Sequence, residues 1–132
     1  MIKTRYRDYA VDAFHFYGLM HKPKSVRLAE YRLKEYLLTH GIDISKEQFT
    51  ASMDDLVAVI KTIDRLKHTQ YADTIIDVLK IYTDIDPYQR GNIENAVIKA
   101  SLKNYLSTAT VNRYLKLARD TFAEIRGLRV SA

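Results

Sequence analysis

The chain has no cysteine and no tryptophan among its 132 residues, and it holds only four glycines and two prolines. Without cysteine there is no thiolate zinc site, no Cys nucleophile and no disulfide-stapled secreted scaffold. Scarce glycine and proline argue against sandwiches and barrels, which need a turn signal every 8 to 12 residues or so. No stretch approaches the roughly 18 uninterrupted apolar residues of a membrane span. The opening residues, Met1-Ile2-Lys3-Thr4-Arg5-Tyr6-Arg7-Asp8, carry charges where a signal peptide would be apolar. The expectation is a cytoplasmic protein with no membrane partner. A chain of this length buries most of the apolar surface it would expose unfolded, so its stability requires neither a metal nor a disulfide, and no cofactor is expected. An all-α fold is the default.

What the chain does have is ten tyrosines and charge of both signs, with 21 Lys and Arg against 16 Asp and Glu, a formal net charge of +5. Such a balance points to a polyanionic partner only where the charge is clustered. Residues 1–40 hold eight cations and four anions (+4), residues 41–91 six and nine (−3), and residues 92–132 seven and three (+4). The middle is acidic and both ends are basic.

Apolar periodicity predicts about six helices. Tyr6, Tyr9, Ala10, Ala13, Phe14, Tyr17 and Met20 line one face of the first, which Gly18 and Lys22-Pro23 end. Ser25 opens the second, with Val26, Ala29, Leu33, Tyr36 and Leu37 inward, a Glu30 to Lys34 pair outside, and Gly41 at the stop. Two capping-box-like starts, Ser45-Lys46-Glu47-Gln48 and Ser52-Met53-Asp54-Asp55, predict a short turn ahead of a main helix from about Met53 to Lys67. Its core face is Leu56, Val59, Ile60, Ile63 and Leu66. A fourth helix spans about Gln70 to Thr83, with Ala72, Ile75, Ile76, Leu79 and Tyr82 inward, and Asp84-Ile85-Asp86-Pro87 ends it. The last third reads as a helix from Pro87 or Asn92 to about Asn104, a break at Tyr105-Leu106-Ser107, and a helix from Thr108 to Arg126 closed by Gly127. The expected division is residues 1–84, a helical part for dimerisation or partner binding, and residues 85–132, the two making one compact unit.

The segment from Val97 to Leu115 fits a helix-turn-helix of the DNA-binding kind. Ala100 and Ser101 are small where one helix must cross another closely, Leu106 is apolar in the turn, and Ser107 is a good N-cap. Val111, Leu115, Ala118, Phe122 and Ile125 form a buried stripe, which leaves Thr108, Ala109, Asn112, Arg113, Lys116 and Arg119 mostly on a polar, basic face. In a major groove Asn pairs bidentately with adenine and Arg with guanine, so Asn112 and Arg113 are the candidate base readers. Lys103, Ser107, Lys116 and Arg119 are candidates for phosphates, which give affinity without sequence information. Thr108 and Thr110 suit either task, and Thr110 can instead complete the cap.

The run Ser107-Thr108-Ala109-Thr110-Val111-Asn112-Arg113-Tyr114-Leu115-Lys116-Leu117-Ala118-Arg119 is similar to the recognition helix of sigma-factor region 4-like domains. It resembles above all the small phage late-gene regulators of the ArpU and RinA type, over roughly residues 87–128. The resemblance implies a DNA-binding transcriptional regulator of phage or prophage late genes. Tyr105 departs from the pattern where the turn usually has glycine, and Asn104 where the first helix usually ends in an apolar residue. A longer or differently angled turn would follow.

A plain helical hairpin with a solvated basic face is the competing reading. The N-terminal cations Lys3, Arg5, Arg7, Lys22, Lys24, Arg27 and Arg32 could form a second phosphate patch, while Tyr6, Tyr9, Tyr17 and Tyr36 fall on apolar stripes and read as core. The same helices could instead form a dimer interface. No catalytic or metal pattern emerges. His15, His21, His40 and His68 lie far apart, and Asp84-x-Asp86 lacks the later ligands of a calcium loop, leaving Asp86-Pro87 as a helix start. Asp54-Asp55 reads as first-turn acids favouring the helix dipole. The chain is thus expected to bind double-stranded DNA as a homo-oligomeric, dimeric regulator, with RNA polymerase as a further candidate partner. The alternatives are a phage terminase small subunit-like packaging protein and a helical adaptor that binds protein through the acidic centre.

Overall fold

A computed structural model of the chain describes residues 2–128, and side chains from Asp8 onward. Over that span the fold is all-α, with six helices and no strand: α1 (Ile2–Leu19), α2 (Val26–Thr39), α3 (Lys46–Leu66), α4 (Ala72–Thr83), α5 (Asn92–Asn104) and α6 (Thr108–Arg126). The expected inward position of Tyr6 and the patch members Lys3, Arg5 and Arg7 lie outside the described side chains.

Three local expectations need correcting. Gly18 does not end α1 but sits inside it, where a Cβ would lie 2.0 Å from the Thr83 carbonyl oxygen, so glycine is what lets α1 and α4 approach. The C-terminal turn is made by His21 and Lys22 at positive φ, with the Lys22 amide bonded to the Tyr17 carbonyl and the His21 amide to that of Gly18. Arg32 of α2 donates to the Met20 and His21 carbonyls, both at 3.0 Å, and so caps α1 instead of offering its charge to phosphate.

The second correction concerns α3. One continuous helix starts at Ser45, whose hydroxyl accepts from the Gln48 amide while the Gln48 side chain accepts from the Ser45 amide. Ser52 is therefore mid-helix, and the second capping signal goes unused because the first already satisfies the helix start. Asp55 is no first-turn acid either. It accepts from the Tyr9 hydroxyl at 2.7 Å and from Arg126 Nε at 2.8 Å, joining α3 to α1 and α6. Third, Asp86-Pro87 starts no helix: the Asp86 carboxylate accepts the Tyr88 amide in a tight turn, and α5 begins only after Gly91 at φ 84°.

The core is one cluster. Phe14 and Tyr17 of α1, Leu33 of α2, Leu56 and Val59 of α3, and Ile75 and Tyr82 of α4 pack with Val111, Leu115 and Phe122 of α6. The Phe14 ring lies 5.8 Å from that of Phe122 and 6.0 Å from that of Tyr82. Helix α6 touches α1, α3, α4 and α5, so its position is set from four sides. By contrast α2 packs chiefly on α3 and leaves Tyr31 and Leu38 exposed.

Candidate nucleic-acid interface

Helix α5 buries Ala96 and Val97 and rests on α4 and α6. It ends in a turn that Tyr105 makes at φ 55°, the left-handed conformation glycine usually supplies. Here the Leu106 amide reaches back to the Ser101 carbonyl at 3.0 Å, and the Ser101 hydroxyl donates forward to the Leu106 carbonyl at 2.5 Å. Ser101 is thus more than a small residue at a crossing: its hydroxyl closes the turn. Leu106 packs against the core, as an apolar residue inside the angle of two helices should. The absent glycine is replaced by a strained tyrosine that these bonds hold in place.

Ser107 then caps α6, its hydroxyl accepting from the Thr110 amide at 3.1 Å and lying 3.0 Å from the Thr110 hydroxyl. Both side chains therefore serve the helix start, and Ser107 still stands exposed beside the positive end of the α6 dipole. Val111, Leu115, Ala118 and Phe122 are buried, and Ile125 is partly so. Thr108, Ala109, Asn112, Arg113 and Lys116 are exposed, which puts the two candidate base readers and Thr108 together at the N-terminal end of α6. Arg113 makes no hydrogen bond or ion pair among the described residues.

The candidate phosphate cations are less free. Lys103 lies 3.0 Å from the Asp77 carboxylate, and Asn104 donates to the other Asp77 oxygen at 3.2 Å. The Lys103 hydrogen bond, against partial burial and with help from Asn104 and Lys80, holds the Asp77 carboxyl below its ordinary range. Lys116 pairs with Asp120 one turn on, at 2.7 Å, an exposed contact of little strength. Arg119 is half-buried and donates to the hydroxyl of Tyr82, a residue only 2 % exposed. It belongs to the α4–α6 seam.

Two exposed side chains at this end were not among the candidates. Leu102 is 73 % exposed and Tyr105 96 % exposed, flanking Lys103 and the start of α6. With Ile98, also exposed, they fall outside the Ala96, Val97, Ala100 stripe, so their spacing already marked them as outward. Among the described residues no group of three or more His, Asp or Glu side chains is placed to hold a metal ion. No helix of the described residues is long and apolar enough to cross a membrane. Compared with known protein families, with curated proteins and with solved structures, the chain finds no match.

Proposed function

We propose that the chain is a sequence-specific, cytoplasmic DNA-binding regulator of transcription that inserts the N-terminal end of α6 into the major groove. The observation that carries this is the α5–turn–α6 unit itself. A fixed turn and a capped helix start present the exposed Thr108, Asn112 and Arg113, which bond no side chain among the described residues, at the N-terminal end of α6. The exposed Lys116 and Lys99 serve as phosphate contacts, and Lys103 joins them once it leaves Asp77. The resemblance of the Ser107–Arg119 run to phage late-gene regulators makes phage or prophage late promoters the first targets to try. A dimer, with or without RNA polymerase, supplies the second recognition helix that paired half-sites require.

Fluorescence anisotropy tests the proposal, with a randomised duplex pool and duplexes from the chain's own gene neighbourhood at about 50 and 200 mM salt. Four phosphate contacts would weaken binding roughly a hundredfold between those concentrations. Binding of that kind, tighter for one neighbourhood duplex than for the pool, is the expected result. No binding to either at the lower salt would reject it.

A further inference from the structure

At the far end of α6 a second feature has no role in DNA reading. Ile125 is seventeen residues beyond Thr108, about 25 Å along the helix axis. Beside it opens a cavity of about 830 Å³ between the C-terminal parts of α1, α3 and α6, within the range of roughly 300–1,000 Å³ that small-molecule sites occupy. Ile60, Ile63 and Ile125 give it apolar walls, and Lys24, Lys61, Arg65 and Lys67 line it against the single carboxylate of Asp64. Arg65 reaches Glu124 only at 3.5 Å between exposed side chains, and the three lysines form no ion pair among the described residues.

Cations in the last turn of a helix complement its dipole. That does not account for this gathering, because Lys24 lies in the connection before α2 and Lys61 more than a turn before the end of α3. An independent observation concerns Tyr17. The residue is 5 % exposed, it lines the cavity, and its hydroxyl has no hydrogen-bond partner among the described residues. The ring is buried but the hydroxyl is not among the buried polar atoms left without a partner, so it reaches open space into which it can donate. Here the open space is the cavity.

We propose that this cavity binds a phosphate-bearing small molecule of nucleotide size, with its flat apolar body on the isoleucine wall, its phosphates among Lys24, Lys61 and Lys67, and an oxygen accepting from the Tyr17 hydroxyl. The site is separate from the DNA-reading end, and the proposal does not depend on that reading.

Calorimetric titration of the whole chain at low salt tests it, using ADP, GDP, CDP and UDP, with pyrophosphate and adenosine as separate arms. At least one nucleoside diphosphate should bind one-to-one and more tightly than pyrophosphate or adenosine. Tyr17→Phe keeps the ring and its packing and should weaken that binding about tenfold, the loss of one hydrogen bond to a charged group. Lys61→Ala with Lys67→Ala should weaken it further, and Arg113→Ala should leave it unchanged. No binding by any of the four at about 1 mM, the weak end of specific recognition, would overturn the proposal. So would equal affinity for pyrophosphate, or an affinity untouched by Tyr17→Phe. Loss of duplex binding in the Tyr17 and Lys61 variants without nucleotide binding would overturn it too, by assigning the cations to a nucleic-acid surface.

Discussion

The two halves of α6 carry the same kinds of cation and use them in opposite ways. In the N-terminal half Arg113 bonds none of the described residues, and Lys116 makes only a solvent-exposed pair with Asp120 among them. In the C-terminal half Arg119 is fixed to the Tyr82 hydroxyl, and Arg126 donates to Asp55 and, at 3.4 Å, to the Tyr9 hydroxyl. Asp55 in turn raises the pKa of Arg126, so that cation is held as an internal ion at the α1–α3–α6 junction. The same division runs through the N-terminal basic block, where Arg32 caps α1 and Lys22 pairs with Asp84 at 2.6 Å. Charge counted along a sequence is not charge offered to a ligand. Burial and the nearest acceptor decide which is which.

The largest effect expected from breaking this pattern is at the junction. Asp55→Ala strands both the Tyr9 hydroxyl and the Arg126 guanidinium in a half-buried setting, and should cost about 2–3 kcal/mol in urea unfolding. A loss below about 0.5 kcal/mol, the range of ordinary surface substitutions, would put Arg126 in the same class as Arg113 and dissolve the contrast. Arg113→Ala is the mirror case. Its unfolding free energy should stay within about 0.5 kcal/mol of the parent, while its affinity for the preferred duplex falls by roughly 1–3 kcal/mol and for random duplex by much less. Equal losses on both duplexes would remove Arg113 as a base reader. Arg119→Ala should behave like neither, losing about 1–2 kcal/mol of stability because the buried Tyr82 hydroxyl keeps no partner. The folded variant should keep duplex affinity close to the parent's.

Periodicity made most of the helices legible, because apolar positions that recur every 3.6 residues mark a helix with one buried face and suit no other regular backbone. The caps Ser25, Ser45 and Ser107 and the stops Gly41 and Gly127 were equally readable, each being a local matter between a side chain and backbone groups within four residues. Ser52 and Asp86-Pro87 lost to competing local devices, the Ser45 box and the Asp86 turn, while two other signals are local in form but settled by distant contacts. Gly18 looks like a helix stop, yet it answers to the Thr83 backbone across the fold. Asp55 looks like a first-turn acid, yet its partners are 46 and 71 residues away. At the candidate interface the outward face of α6 was legible from the stripe it opposes. The pairing of Lys103 with Asp77, 26 residues earlier on another helix, was not, since no sequence spacing encodes it.

That last pair offers the finest test of the contrast, because Lys103 stands between the two classes. Its partner Asp77 has a folded pKa below the ordinary carboxylate value, chiefly through the Lys103 hydrogen bond. Stability from the pair is therefore present above the unfolded pKa of about 3.9 and lost as pH falls through the lower folded value. With the Lys103 side chain 68 % exposed, solvent screening keeps the gain to at most about 1 kcal/mol. The stability gap between the parent and Asp77→Asn should hold steady from about pH 7 to 5 and close below about pH 4. If Lys103 is a phosphate contact restrained by Asp77, the same substitution should strengthen duplex binding and steepen its log–log salt slope by about 1, the signature of one added contact. Stronger binding with an unchanged slope would mean that removing Asp77 merely relieved a repulsive field. Lys103 would then belong with Arg119 and Arg126 as a cation the fold has already used.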